Sequence, residues 1–290
     1  MRFEFYNLRI IIRITQKRVY LLEMERPVNS PESMIATIRK YGVLPLFKSS
    51  IPGWSIEDMT APGCWFDTEG VLGPWDWKVD AVRQGDIAYG KFIGGKAAFA
   101  TLEWYRHLMN WRRSLPRYRM ALGERYKAST NGDRQNKAFA PAILSAVEAD
   151  GEIRASGLRA ICSKKSVYES VSRFLQMGTW LVVGDIEREY RGPYLTYSGW
   201  QRTSLTTPER LFGLEEILRY AQDDIASSAD DIAAPADDIA APAWARMFEK
   251  ETGAEAARLC CLPEESRHVI IGHIREVFPE AGYDKLIKLI

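Results

Sequence analysis

The chain has 290 residues, of which 39 are basic and 38 are acidic, so its formal net charge at pH 7 is only +1. Its content of 46% hydrophobic and 27% charged residues is that of a soluble globular protein with one or two cores. The four cysteines include no C-x-x-C pair, which excludes a disulfide framework and indicates reduced thiols in a cytoplasmic protein.

A zinc site is one alternative use of the cysteines. Cys260 and Cys261 lie upstream of His268 and His273, but these histidines are five residues apart rather than at the i, i+4 spacing of ligands on one helical face. Surface and core thiols near a terminal helix explain the same residues. We therefore expect no metal site and no cofactor.

The first 24 residues contain an apolar run from Leu8 to Ile14 that Arg9 and Arg13 interrupt. The run is far shorter than the ~20 apolar residues of a membrane-spanning helix, and no small-residue cleavage site follows it. We expect no membrane segment. The alternating pattern suits a strand, but Met24 directly precedes the first capped helix. Residues 1–24 are thus either a native extension or lie upstream of a later natural start.

Residues 25–128 are predicted to form a first, winged-helix-like domain in which helices precede a β-hairpin. The stretch PESMIATIRKYG is typical of a capped helix and SIEDMT of a short one. The stretch GDIAYGKFIGGKAAFAT predicts a hairpin that turns at Gly94–Gly95.

Basic side chains outnumber acidic ones by nine to two between residues 106 and 137. The nine are Arg106, Arg112, Arg113, Arg117, Arg119, Arg125, Lys127, Arg134 and Lys137. Aromatic rings are interleaved with them, so the stretch suits phosphates together with sugars or exposed bases. The alternative is that the rings are core and the arginines cover them, which we favour for Trp104 and Trp111. The residues expected to contact DNA here are Arg112, Arg113, Arg117 and Arg119.

Residues 129–206 are predicted to form a winged-helix domain. Three helices are indicated. The first lies in RQNKAFAPAILSAVEADGEI and ends at Gly151, the second is RASGLRAIC, and the third is capped by Ser163 and Ser166 and ends at Gly178. The stretch TWLVVGDIEREYRGPYLTY then predicts a β-hairpin. This is the element order of a winged helix, whose third helix enters the major groove.

The faces of the third helix follow from about 100° of rotation per residue. The apolar side consists of Val167, Val171, Phe174 and Leu175. The residues that then point away are Lys165, Glu169, Ser172, Arg173 and Gln176. Apart from Glu169 these side chains suit phosphates or base edges, and Arg188 and Arg191 add charge at the wing tip. A solvated or protein-binding surface is the alternative for this face.

Residues 207–250 are predicted to be an acidic low-complexity linker. The tetrapeptide Asp-Asp-Ile-Ala recurs at 223, 230 and 237, and without these six aspartates the net charge would rise from +1 to +7. Pro235 and Pro242 break helical continuation, so the repeat is not a coiled coil. A segment that competes with DNA for a basic groove is the alternative to a linker without a role.

The last part, residues 251–290, is predicted to be a helical segment. Pro263 starts a helix whose apolar face consists of Ile270, Ile271, Ile274, Val277 and Phe278. Helix followed by hairpin occurs twice upstream, without a residue-level repeat. The predicted fold class is therefore α+β, with tandem winged-helix modules and a C-terminal docking helix.

Three stretches carry a family resemblance, namely GPWDWK, AYGKFIGGKAAFATLEWYRHLMNWRRSLPRY and FLQMGTWLVVGDIEREYRGPYLTYSGWQRTS. From about Pro31 to Trp200 the chain resembles bacterial winged-helix proteins related to the AlkZ/YcaQ DNA glycosylases. In those glycosylases, tandem winged helices form a basic concave scaffold on DNA. The resemblance also implies removal of alkylated or crosslinked purines without a metal, through a Gln-aliphatic-Gln or Gln-aliphatic-Asp motif near the N-terminus.

The chain departs from that motif. In Gln84-Gly85-Asp86 a glycine replaces the aliphatic residue just before a hairpin, as in a turn. Asp76 and Asp80, flanked by Trp75 and Trp77, offer a carboxylate beside a stacking ring, but they could equally cap a helix start. The catalytic candidates are Asp76, Asp80, Gln84 and Asp86. No P-loop, G-x-S-x-G, H-E-x-x-H or Rossmann glycine pattern accompanies them.

The sequence thus predicts a winged-helix DNA-binding protein whose partner is duplex DNA. A monofunctional DNA glycosylase with a diverged active site is the first alternative. A non-enzymatic protein-interaction scaffold is the second.

Overall fold

Two three-stranded antiparallel sheets and eleven α-helices make up the described part of the computed structural model, residues 27–65, 72–213 and 262–290. The prediction of a chain that mixes helices with small antiparallel sheets is confirmed. The predictions for residues 1–24, for the acidic repeat and for Cys260 and Cys261 lie outside the described residues.

The first sheet and its helices precede residue 123. Their bounds are α1 Pro31–Tyr41, β1 Val43–Pro45, α2 Ile56–Met59, α3 Pro74–Val82, β2 Ile87–Ile93, β3 Lys96–Thr101, α4 Leu102–Ser114 and α5 Pro116–Arg119, followed by a 3₁₀ turn Met120–Leu122. The strand order is β1-β3-β2. Ser30 caps α1 in a capping box with Ser33. The predicted hairpin is confirmed, and its turn residues Gly94 and Gly95 have φ of 55° and 71°.

The second sheet belongs to a helix-strand-helix-helix-hairpin unit. Its elements are α6 Asn131–Asp150, β4 Ile153–Arg154, α7 Ala155–Cys162, α8 Lys165–Met177, β5 Val182–Arg191, β6 Thr196–Thr206 and α9 Pro208–Leu211. The strand order is β4-β6-β5. The predicted ends at Gly151 and Gly178 are confirmed. The predicted serine cap of α8 is wrong, because Lys164 occupies the N-cap position and makes no side-chain cap bond.

The two units share an interface. Helix α8 packs against β2, and α3 packs against β5. The folded body also extends past the predicted linker boundary at residue 207, because Glu209 on α9 forms an ion pair with the buried Arg113. Among the described residues, that body continues to residue 213.

The C-terminal helices are α10 Pro263–Val277 and α11 Tyr283–Leu289. Helix α10 packs against α4 and buries the predicted Ile270, Ile271, Ile274 and Phe278, while Val277 is half-buried. Ser266 accepts a 2.7 Å hydrogen bond from Asn110 Nδ2 on α4. The helix is thus docked through both apolar contacts and a buried polar network.

Within the described ranges, no helix is long and apolar enough to cross a bilayer. The same residues contain no group of three or more metal-ligating side chains. His273 is engaged in packing, since its ring stacks on Trp104 at 3.8 Å between centroids and its Nε2 lies 2.9 Å from the carbonyl oxygen of Tyr41.

Candidate nucleic-acid interface and adjoining cavity

The hairpin formed by β5 and β6 ends in exposed large side chains. Tyr194 is 90% exposed, Leu195 71% and Trp200 66%. Exposed apolar groups of this size at the end of a hairpin indicate a contact surface. We call residues 190–200 the hairpin tip.

Cations accompany the hairpin tip. Arg191 and Arg202 are both mostly exposed, and both lie within 3.2 Å of Glu189 Oε1. Two guanidinium groups around one carboxylate leave a net positive charge, and they lower the pKa of Glu189 through hydrogen bonds. Arg191 was predicted from the sequence, whereas Arg202 was not. Arg202 lies opposite Glu187 in the register of β5 and β6, and this cross-strand pairing is what places it beside the hairpin tip.

Arg188 was predicted to lie at the hairpin tip, and that prediction is wrong. Its Nη2 donates to the carbonyl oxygen of Asp76 at 3.0 Å and to Asp80 Oδ2 at 3.2 Å, and its side chain is only 20% exposed. Arg188 therefore fastens the hairpin to α3 and is not available to phosphates.

Two of the five side chains predicted to face outward from α8 are buried, so that part of the prediction is wrong. Ser172 and Gln176 are covered because β2 packs on this side of the helix. Gln176 Oε1 accepts a 2.8 Å hydrogen bond from the backbone N–H of Lys91, and its Nε2 donates to Ser172 Oγ at 3.1 Å. Gly90 permits this approach, since a Cβ there would lie 3.1 Å from Gln176 Oε1.

The other predicted residues of α8 are exposed. Lys165 forms a 3.7 Å ion pair with Glu169, one helical turn away. Arg173 is exposed, and its aliphatic stem runs beside the Gly95 turn. The N-terminal half of α8 and Arg173 thus remain accessible, while the hairpin of β2 and β3 covers the rest.

The basic stretch on α4 and α5 divides in two. Arg112 and Arg113 are buried, so they are not available to DNA: Arg112 Nε donates to the Ile290 backbone oxygen at 3.0 Å, and Arg113 Nη2 donates to the Thr179 carbonyl at 2.7 Å. Burial lowers the pKa of Arg112.

Arg117 and Arg119 are about half exposed. Arg117 pairs with Asp133 at 3.4 Å, and Arg119 Nε donates to Glu124 at 2.8 Å. Each therefore carries a charge at the surface that an acidic partner already balances in part.

Of the four catalytic candidates, Gln84 and Asp86 form a surface turn. Gly85 has a φ of 81°, and Arg39 donates to Asp86 at 2.8 Å and to Gln84 Oε1 at 3.3 Å. Asp80 is 40% exposed and pairs with Arg188. Asp80, Gln84 and Asp86 do not line the cavity described below.

Asp76 differs from the other candidates because it is buried and oriented by the hairpin. It does not cap α3, although the sequence analysis considered that role. Its Oδ1 accepts hydrogen bonds from Tyr197 Oη and from Gln201 Nε2, the latter at 3.0 Å. No hydrogen bond from a described residue reaches Oδ2. Burial raises the pKa of Tyr197, and the hydrogen bond to Asp76 raises it further.

A cavity of about 430 Å³ lies between α3, the first hairpin, α8 and the second hairpin. Asp76 is not among the residues that line it, but its hydrogen-bond partner Gln201 is. Its wall includes the rings of Trp75, Tyr89 and Tyr168, together with Lys78, Lys91 and Gln201. Trp75 and Lys91 are exposed and mark the mouth, whereas Lys78 and Tyr168 are buried. The volume is that of a small-ligand pocket.

Lys78 is the buried cation of this cavity. Its Nζ donates to the carbonyl oxygen of Trp75 at 2.6 Å and lies 3.2 Å from the centroid of the Trp75 ring. Burial lowers the pKa of Lys78 to about 7, an effect that the charge of Asp76 opposes and that of Arg188 reinforces. The sequence analysis gave Lys78 no role, although it stands at i+3 from Trp75 on one helix.

Fold and site together define a mixed α/β protein with a cationic, aromatic hairpin arm beside an inter-unit cavity. A family model described as AlkZ related matches residues 28–253, well over half of the chain. The chain belongs to the AlkZ-related family. No curated protein and no solved structure matches it.

Proposed function

We propose that the chain is a winged-helix DNA-binding protein that docks on duplex DNA. Membership of the AlkZ-related family supports a role connected with DNA repair. The order α6, β4, α7, α8, β5, β6, with β6 between β4 and β5, supports a winged helix whose wing would be β5 and β6.

The observation that carries the proposal is the hairpin tip. Exposed Tyr194, Leu195 and Trp200 are costly in water without a partner, and Arg191 and Arg202 stand beside them. Rings and aliphatic side chains can wedge into the minor groove or stack on exposed bases, while arginines neutralise the phosphates. Further surface cations that are proposed to contact DNA are Lys165, Arg173, Arg117 and Arg119. Because β2 covers Gln176, the wing contributes more contacts than the third helix does.

The test is fluorescence anisotropy with a labelled duplex at several salt concentrations. We expect the binding constant to fall steeply with salt, because each neutralised phosphate releases counterions. The double variant Arg191→Glu/Arg202→Glu weakens binding by more than about tenfold and reduces the salt slope by about one to two. Arg275→Glu on α10 is the matched control and leaves binding unchanged. Salt-independent binding, or none to any duplex, favours a protein-interaction scaffold instead.

A second candidate, a DNA glycosylase with a diverged site, is favoured by Asp76. Base excision needs a carboxylate or amide that positions water beside a pocket for the flipped base. Tyr197 and Gln201 hold Asp76 Oδ1, which leaves Oδ2 for a water, and Gln201 in turn lines the cavity with aromatic walls.

This candidate is tested with duplexes that carry alkylated purines or an interstrand crosslink, followed by alkaline cleavage of abasic sites. Glycosylase activity that Asp76→Asn abolishes supports it. Asp86→Asn is the matched control, since Asp86 lies in the surface turn with Arg39. Intact strands after incubation with excess protein contradict it.

A further inference from the structure

The cavity between the two units contains a buried lysine with few polar partners. Lys78 is 2% exposed, yet among the described residues its ammonium makes one hydrogen bond and no ion pair, and its other contact is the ring of Trp75. A buried ammonium usually requires several polar partners, because one bond does not replace its hydration. An amine in this setting favours the neutral, nucleophilic form.

We propose that Lys78 is a nucleophile that forms an imine with an aldehyde bound in this cavity, and that the aldehyde is the ring-opened sugar of an abasic site. The second part rests on the proposed DNA-binding function, whereas the first does not. The neutral Nζ adds to the aldehyde carbon, a proton moves to the carbonyl oxygen, and loss of one water gives the imine. No oxidant or reductant takes part in this condensation.

The cavity walls suit such a sugar. Gln201 Oε1 is buried and has no hydrogen-bond partner among the described residues, so it can accept from a sugar hydroxyl. Lys91 and Lys165 at the mouth supply charge for the flanking phosphates, against the single carboxylate of Glu169. The face of Trp75 closes the space around the amine.

Acid-base behaviour agrees with this geometry. With its pKa lowered to about 7 by burial, about half of the Lys78 side chains are neutral at pH 7, whereas an ordinary lysine with a pKa of about 10.4 is almost entirely charged. The rate of imine formation is therefore expected to rise between pH 6 and 8 and to level off well below the range in which solvent lysines react.

The experiment is reductive trapping of the full chain with cyanoborohydride and two aldehyde probes. The probes are a duplex with one abasic site and, separately, 2-deoxyribose 5-phosphate. We expect a covalent adduct that peptide mapping of the wild-type protein places on Lys78. Lys78→Met lowers trapping at least tenfold, while the matched control Lys96→Met, an exposed lysine on β3 that does not line the cavity, changes it less than twofold.

The two probes separate the two proposals. Adducts of 2-deoxyribose 5-phosphate at Lys78 without binding of any duplex support the lysine site and overturn the DNA-binding function. Duplex binding without an adduct at Lys78 from either probe overturns the inference and leaves DNA binding intact. Adducts that map to other amines and persist in Lys78→Met also overturn it, and mapping on the wild type does not depend on whether the variant folds.

Discussion

Replacing the buried Lys78 by methionine tests the energetics of the cavity independently of any ligand. Burial lowers the pKa of Lys78 from 10.5 to about 7 in the folded chain. Between these two values the unfolded chain holds a proton that the folded chain has lost. The free energy of unfolding of the wild type therefore rises with pH in this window, with a limiting slope of about 1.4 kcal/mol per pH unit. Below pH 7 both states hold the proton, and the slope from this group vanishes.

The expected difference is large enough to measure. Because Lys78 is still half protonated at pH 7, the wild type gains about 2 kcal/mol relative to Lys78→Met between pH 7 and pH 9. Methionine keeps a similar apolar volume without a titrating group, and all other groups cancel in the comparison.

Guanidinium denaturation at pH 7, 8 and 9 measures both proteins. Lys91→Met is the control, because Lys91 is exposed, and its difference from the wild type is expected to stay constant. If the difference between the wild type and Lys78→Met is also constant within about 0.5 kcal/mol, the lysine is not desolvated and the reasoning fails.

Three further predictions concern the scaffold. Arg113→Ala leaves Glu209 without its partner and is expected to lower the free energy of unfolding by about 3 kcal/mol in chemical denaturation, while the salt slope of DNA binding stays unchanged because this arginine is buried. Gly42→Ala, at a φ of 71° and with a Cβ 2.1 Å from Trp104 Cδ1, is expected to cost more than about 2 kcal/mol, and a wild-type thermal midpoint would contradict the packing of Trp104. Deletion of residues 221–242 is expected to leave the thermal midpoint within about 5 °C, and a larger loss would show that the repeat contributes to the folded core.

The sequence by itself determined the local elements. Helix α6 ends at Gly151, α8 ends at Gly178, and the first hairpin turns at Gly94–Gly95, all as predicted. Caps, positive-φ glycines and apolar periods act within a few residues of the chain, so a single sequence contains them. The buried face of α10 follows from the same kind of periodicity.

The roles of the charged and polar residues could be predicted from the sequence only in part. Sequence analysis treated the basic residues between 106 and 137 as one surface, but Arg113 is buried beneath Thr179, 66 residues further along the chain. The apolar period of α8 predicted one buried face of the helix. The period does not indicate that β2 packs against a second face and buries Gln176 there.

Only the tertiary structure decided which side chains meet at the site. Asp76 and Arg188 are 112 residues apart, Asp76 and Tyr197 are 121 apart, and the cavity around Lys78 exists only where the two units pack together. Whether a cation contacts solvent, a carboxylate or a ring depends on such distant neighbours, because electrostatic and desolvation energies are set by the surroundings in space. The sequence therefore determined the helices, the turns and the family, whereas the packing of one unit on the other determined which arginines remain exposed and which lysine is held buried at the cavity.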